Sequence, residues 1–260
     1  MATTAHAEDN HDDHGEHTGR FFRPPDLRMM DQGDRKSTWL ELFFDLCFVV
    51  AVSAAASELH GDTSGEGVAR AAGIFVIVWW AWMGYTWYAT AFDSDDVPFR
   101  LASLGAMVGI LTLATSIPNI KNGDTAPFIL AYAGMKTVLV LLFSRAALHG
   151  GRARDFSLRY ASGFALAALL FLASLPFDGA AMWAIWAVAM AVELLTPAWA
   201  VRALDTWAYD STHIPERYGL FVLIVLGEII VAVSASTSGA AWAFDSAITA
   251  IGAFAIGACV

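Results

Sequence analysis

Long apolar runs separated by short polar segments fill the chain from residue 37 onward. A helix needs about 20 apolar residues to cross the hydrocarbon of a bilayer. The runs cover residues 38–57, 71–92, 101–117, 127–148, 160–175, 180–201 and 218–236, and an eighth starts near 243 and is still apolar at 260. This pattern predicts an all-α, polytopic transmembrane helix bundle of about eight helices, the last incomplete.

Residues 1–36 have a different character, because they are polar and carry no apolar periodicity. We expect them to form a disordered, acidic and His-rich tail in front of a transmembrane domain at 37–260. The tail lacks the basic start and apolar stretch of a signal peptide. Imidazoles and carboxylates together can bind zinc, copper or nickel, but the spacing in the tail fits no ordered metal site, so weak binding is the most that it supports. The histidines concerned are His6, His11, His14 and His17.

Composition supports lipid as the solvent of this chain. Hydrophobic residues make up 57% and charged residues 15% of the sequence, and the mean hydropathy is +0.53. Soluble domains have about 25% charged residues, so too few polar groups remain here to cover a soluble surface. The net charge of −10 says little about partners, because much of it lies in the tail. The lipid bilayer is therefore the expected partner.

Lys and Arg residues alternate in density between successive loops. With the N-terminus inside, twelve of them fall in inside segments and two, Arg70 and Lys121, fall in outside loops. Inside loops are enriched in basic residues in most membrane proteins. The distribution predicts a cytoplasmic N-terminus and supports the proposed set of spans.

Four ionisable residues lie deep within the predicted spans: Asp45, Lys136, Glu193 and Glu228. Charged groups are expensive in a bilayer, which makes them candidates for an ion, proton or substrate site. Pro197 cannot donate the helical bond to the carbonyl of Glu193, so a kink is expected beside that carboxylate. Lys136 is expected to pair with one of the three acids, although a buried ion pair can also be purely structural.

Other polar residues have predicted places near the ends of the helices. Thr38 and Glu41 fit a capping box at the start of the first helix. Two inside loops carry charges that could form either a salt-bridged cytoplasmic gate or simple positive-inside anchors. These are Asp93, Asp95, Asp96 and Arg100 in one loop, and Glu216 and Arg217 in the other. Trp82 and Tyr85, near the middle of the second span, suggest a packed helix interface or an aromatic-lined cavity.

Motifs for catalysis or cofactor binding are not found in the sequence. It has no nucleotide-binding loop, no Ser-His-Asp pattern, no helix with two spaced metal-ligand histidines and no basic patch for nucleic acid. We therefore expect a protein that is not an enzyme and has no cofactor and no nucleic-acid partner. Self-association into a homo-oligomer is left open.

Four stretches resemble one protein family. They are TWLELFFDLCFVVAV at 38–52, FDSDDVPFR at 92–100, ELLTP at 193–197 and ERYGLFVLIVLGE at 216–228. The first is similar to the opening signature of the low temperature requirement protein A family, and the other three also agree with it. The resemblance implies a bacterial inner-membrane protein of many spans that is linked to growth in the cold and has no settled activity. Members are usually longer, so the resemblance also implies a C-terminally truncated chain.

Three functional hypotheses follow from these residues. The first is a proton- or ion-coupled transporter or channel, whose intramembrane acids would converge on one polar cavity. The alternative is a non-transporting membrane protein that supports the envelope at low temperature through lipid or protein contacts, with each acid paired separately. An intramembrane enzyme would need acids clustered near Asp93 and His213. The sequence leaves the substrate or ion open.

Overall fold

A computed structural model of the chain describes residue 25 and residues 38–92, 95–149, 151–203, 215 and 217–227. The described part is helical. Its long helices are α1 (Trp39–Gly61), α2 (Gly65–Ala91), α3 (Val97–Ser116), α4 (Ala126–Leu148), α5 (Arg154–Ala173) and α6 (Gly179–Val201). A shorter apolar helix, α7, covers Arg217–Gly227. Short 3-10 helices follow α3 at Ile117–Asn122 and precede α5 at Gly151–Ala153.

Six of these helices, α1 to α6, are long and apolar enough to cross a membrane. The predicted all-α transmembrane bundle is thus confirmed. The start of the seventh predicted span appears as α7, and the eighth span lies outside the described residues. Helices α1, α3 and α5 begin at one face of the bundle, the first face, and α2, α4 and α6 begin at the opposite, second face.

Three helices begin at least four residues earlier than the apolar runs predicted. Helix α2 starts at Gly65 rather than at 71, α3 at Val97 rather than at 101, and α5 at Arg154 rather than at 160. Their first turns carry charged residues such as Glu66 and Asp155, which lower the local hydropathy without breaking the helix. Polar side chains are stable there because the ends of a membrane helix reach the interface with water.

Side-chain caps fix where three helices begin. The hydroxyl of Thr38 accepts a hydrogen bond from the Glu41 amide at 3.3 Å at the start of α1. Ser64 does the same for Gly67 at 3.2 Å, and Asp96 does so for Phe99 at 3.1 Å. Each cap satisfies an amide that has no partner within its own helix. A capping residue in the sequence therefore sets the position at which each of these three helices begins.

The outer surface of the bundle is apolar. On α3, Leu101, Leu104, Val108 and Leu111 are exposed and follow one helix face at spacings of three and four residues. A soluble protein rarely exposes such a stripe, and lipid chains cover it in a bilayer. Charged side chains, including Asp45 and Lys136, are buried inside the bundle instead.

Aromatic rings fill the interior, as Trp82 and Tyr85 suggested. Tyr85 stacks on Phe44 of α1 with a centroid distance of 3.8 Å, and Phe143 of α4 stacks on Tyr160 of α5 at 4.6 Å. Stacked rings bury large areas at a low cost in side-chain entropy. This region is a packed helix interface, which is the first of the two predicted alternatives.

Candidate functional site

The deepest charges in the described structure form an ion pair between α4 and α6. Nζ of Lys136 lies 2.6 Å from Oε2 of Glu193, and both side chains are 0% exposed. By helix rise, Glu193 is about 12 Å from the end of α6 at the first face. Of the three acids that the sequence offered as partners for Lys136, the structure pairs it with Glu193.

Aromatic groups complete the surroundings of this pair. The hydroxyl of Tyr132 donates to Oε1 of Glu193 at 2.9 Å and lies 3.0 Å from Oε2. Nζ of Lys136 also lies 4.7 Å from the ring centroid of Phe164 on α5 and 5.0 Å from that of Tyr132. Cation–π contacts of this kind stabilise the charged ammonium where no water can solvate it. We call Tyr132, Lys136 and Glu193 the central triad.

Sequence reasoning missed Tyr132, although a signal for it was present. Tyr132 precedes Lys136 by four residues and therefore shares its helix face. A tyrosine one turn from a buried lysine can supply the hydroxyl that a buried carboxylate needs.

Pro197 lies inside α6, one turn after Glu193. Proline has no amide hydrogen, so the carbonyl of Glu193 lacks its usual helical donor. The Thr196 hydroxyl bonds to the Val192 carbonyl at 2.7 Å, which satisfies one neighbouring acceptor. A Cβ atom at Gly163 of α5 would collide with the Thr196 side chain, so α5 and α6 approach closely at this point.

Asp45, which the sequence offered as one of three possible partners of Lys136, pairs with Arg217 instead. Its Oδ1 accepts hydrogen bonds from Nη2 of Arg217 at 2.9 Å and from Nε1 of Trp82 at 2.7 Å. Asp45 and Arg217 are both buried, at 1% and 4% side-chain exposure. Arg217 was predicted to be a loop anchor or part of a gate. It lies at the start of α7 and joins that helix to α1 and α2.

Helix α7 holds Trp82 from two sides. The Phe221 ring stacks on Trp82 at a centroid distance of 4.4 Å, and Tyr218 meets it edge-on at 5.1 Å. Arg217 has two further buried nitrogens, Nε and Nη1, that have no hydrogen-bond partner among the described residues. We call Asp45, Trp82 and Arg217 the second triad. Its guanidinium therefore retains donor capacity inside the bundle.

A third buried pair links α3 to α4 at the first face. Asp96 caps α3 and also accepts two hydrogen bonds from the guanidinium of Arg145, near the end of α4. Arg100, which shares a predicted gate with Asp96, bonds instead to the exposed Asp95, with both bonds at 2.9 Å. A two-point Arg–carboxylate pair fixes orientation as well as charge. The structure thus gives Asp96 and Arg100 separate partners.

Several predicted residues cannot be placed. Glu228, Asp93, Glu216, His213 and the four tail histidines lie outside the described residues. Among the residues that the structure describes, no group of three or more His, Cys, Asp or Glu side chains could hold a metal ion. Glu228 therefore stays a prediction from the sequence.

Comparisons with known proteins match most of the chain to one family. The family model for the bacterial low temperature requirement A protein matches residues 36–260. An uncharacterized protein of Rhizobium meliloti (strain 1021) is 29% identical over 221 residues, which cover 81% of this chain and 54% of that protein. The chain thus spans about half the length of the curated relative that it matches. No solved structure matches the chain.

The family match covers most of the sequence, including helices α1 to α7 and both buried triads. This multi-pass membrane protein therefore belongs to the bacterial low temperature requirement A family.

Proposed function

We propose that the chain forms part of a proton- or ion-coupled transporter or channel of the bacterial inner membrane, with its N-terminus in the cytoplasm. The observation that carries the proposal is the pair of Lys136 and Glu193, which are 2.6 Å apart and fully buried about halfway through the bundle. Ionisable residues at such depth are rare and usually lie on ion or proton pathways. No catalytic group is invoked.

The geometry of the central triad suits proton movement. Transfer of one proton from Lys136 to Glu193 turns two charges into two neutral groups without moving any heavy atom far. The Tyr132 hydroxyl donates to the same carboxylate and can keep that hydrogen bond in either state. A change between a charged and a neutral pair alters how strongly α4 and α6 attract each other.

Pro197 removes one backbone hydrogen bond from α6, which is a continuous helix from Gly179 to Val201, so the helix can bend there when the pair changes charge. Transporters often place binding groups beside interrupted helices near the membrane midplane. Pro197 interrupts the hydrogen bonding of α6 one turn from Glu193, so the last turns of the helix can pivot there. The second triad lies nearer to the first face, where Arg217 could attract an anion or hold α7 closed against α1.

A second candidate function is supported by a specific observation. Three of the buried acids, Asp45, Asp96 and Glu193, each have their own basic partner on another helix. Separate pairs are what the non-transporting alternative predicts, since they can hold helices together without forming a pathway. Under that alternative the protein would support the envelope through lipid or protein contacts.

Flux through purified protein in proteoliposomes tests these candidates. A pH-sensitive dye inside the vesicles reports proton movement after a pH or potential step. Three variants address the central triad: Glu193→Gln, Lys136→Met and the double variant Lys136→Met/Glu193→Leu. The matched control is Asp124→Asn, which removes an exposed acid in the loop before α4.

The transport proposal predicts flux in the native chain and in the control, and at least a tenfold loss in each central variant. The double variant is the decisive one, because a buried pair replaced by apolar residues usually leaves a stable fold. If the double variant conducts like the native protein, the central triad does not carry protons. If the native chain gives no flux under either driving force, the non-transporting candidate is preferred.

A further inference from the structure

A cleft opens at the second face, at the opposite end of the bundle from the second triad. It lies where α2, α4 and α6 begin and where the 3-10 helix Ile117–Asn122 ends, and its volume is about 650 Å³. Sites for small molecules usually have volumes of about 300–1,000 Å³. The cleft shares no residue with the central triad, so it is independent of the proposed function.

Two basic residues, Arg70 and Lys121, line the cleft, and Lys121 is exposed. Nη2 of Arg70 donates to Oδ2 of Asp62 at 3.1 Å, which holds the guanidinium in place. The Arg70 side chain is 18% exposed, and its buried Nε has no hydrogen-bond partner among the described residues. The guanidinium is thus oriented in advance by Asp62 while part of the side chain stays accessible from the cleft.

The loop before α2 holds this arginine. Hydrogen bonds from the Ser64 hydroxyl and amide, and then from Arg70, keep the pKa of Asp62 below its usual range. Asp62 lies so close to Gly67 that a Cβ atom at Gly67 would collide with it. The glycine therefore allows the Asp62–Arg70 contact, and a larger residue there would displace it.

Two acidic residues, Glu66 and Asp178, line the same cleft, and both are exposed. Glu66 lies one turn before Arg70 on α2, and Asp178 lies at the start of α6. Asp178 occupies the position that caps α6, yet its side chain makes no capping hydrogen bond. Neither acid has an ion pair with another described residue. The two carboxylates can therefore receive a cation from outside the chain.

The floor of the cleft is apolar and rigid. Met182 and Ile120 are buried there, and Trp183 lies beside them. The Trp183 ring meets that of Trp186 edge-on at 4.9 Å, and Trp186 donates to the Ser174 hydroxyl at 2.9 Å. An indole held in this way offers an ammonium group a favourable contact.

We propose that this cleft binds a zwitterion that carries an anionic oxygen group and an ammonium group a few bonds apart, as in a phosphoethanolamine headgroup. The anion would lie against Arg70 and Lys121, and the ammonium against Asp178 and Trp183 at the start of α6. The two acids disfavour a simple anion and the two basic residues disfavour a simple cation, so the mixed charge selects against both. The helix ends place the cleft at the depth of lipid headgroups, and a soluble zwitterion has the same chemistry.

Calorimetric titration of the full chain in a neutral maltoside detergent tests the proposal. Two probes carry the zwitterion: dihexanoyl phosphatidylethanolamine below its micelle concentration, and soluble glycerophosphoethanolamine. Two further probes carry one charge only, glycerophosphate and ethanolamine. We expect the zwitterions to bind with a Kd at least tenfold lower than either single-charge probe. Binding of the lipid alone assigns the site to a headgroup, and binding of both probes assigns it to a free zwitterion.

Variants link the binding to the charges of both signs. Arg70→Gln and Asp178→Asn should each raise the Kd at least tenfold. Lys121→Gln tests the basic residues from an exposed position, in case Arg70→Gln does not fold. Asp124→Asn is the matched control, since Asp124 is exposed in the same loop as Lys121 but does not line the cleft. The proposal is overturned if no zwitterion binds, if glycerophosphate binds equally well, or if Asp178→Asn and Lys121→Gln both leave the Kd unchanged.

Discussion

Removal of one member of the central ion pair should destabilise the protein far more than removal of both. At 2.6 Å, the gross attraction between Lys136 and Glu193 is about 6 kcal/mol for an effective dielectric constant of about 20. The desolvation of two fully buried charges offsets much of this. In Glu193→Leu the attraction is lost while Lys136 stays buried, so we expect a loss of about 3–5 kcal/mol in the free energy of unfolding.

The double variant Lys136→Met/Glu193→Leu removes the desolvation penalty together with the attraction. Its free energy of unfolding should therefore lie within about 1–2 kcal/mol of the native value. The Tyr132 hydroxyl loses its acceptor in this variant, which lowers the free energy of unfolding by a further, smaller amount. Between the middles of these two ranges the difference is about 2.5 kcal/mol, which at about 1.4 kcal/mol per decade is more than tenfold in the equilibrium constant of unfolding.

Reversible unfolding in mixed micelles of SDS and maltoside, followed by far-UV circular dichroism, measures these differences. Asp95→Asn is the control, because it breaks an exposed pair and should cost less than about 1 kcal/mol. The reasoning is refuted if Glu193→Leu is as stable as the native chain, or if the double variant is no more stable than Glu193→Leu.

Three further predictions follow from local geometry. Gly163→Ala should lower the free energy of unfolding by about 1–3 kcal/mol, because the new methyl group overlaps the Thr196 side chain. In the same unfolding assay, adding Thr196→Ala to the Gly163→Ala chain should recover part of this loss. Trp82→Phe should cost about 1.5–3 kcal/mol, since it removes a hydrogen bond to a charged carboxylate, and an unchanged unfolding midpoint would show that the Asp45 bond contributes nothing. Because the pKa of Asp62 is lowered in the folded protein, the ionised Asp62 carboxylate contributes its full stabilisation above a pH of about 4. This stabilisation is lost only as the pH falls through the lowered pKa. A ¹³C NMR titration of Asp62 with a midpoint above the ordinary pKa of 3.8 would contradict this.

The sequence predicted the spans well because lipid imposes a simple rule. A run of about 20 apolar residues has few alternatives to a spanning helix, so the described spans appear where the runs predicted them. The boundaries at α2 and α5 were less accurate, since charged first turns such as that of Glu66 look like loop in a hydropathy profile. The capping role of Thr38 depends only on the spacing between Thr38 and Glu41, so it could be predicted from the sequence alone.

Pairing of the buried charges was harder to predict. The sequence identified Lys136, Asp45 and Glu193 as deep ionisable residues, but which acid meets which base depends on helix rotation and packing order. Arg217 was interpreted as a loop anchor or part of a cytoplasmic gate, because it stands beside a polar loop in the sequence. Only the docking of α7 against Trp82 brings its guanidinium inside. Such contacts between distant segments leave no local pattern.

The contact between Asp45 and Arg217 has a consequence for how the chain is made. The two residues are 172 positions apart, so α1 enters the bilayer long before the arginine exists. At about 5–20 residues per second, the ribosome needs about 9–34 s to reach it. During that interval Asp45 must remain protonated, stay hydrated at the translocon or be shielded by another protein. The insertion and folding of this protein should therefore depend on factors that hold α1 at the translocon until α7 has been synthesised.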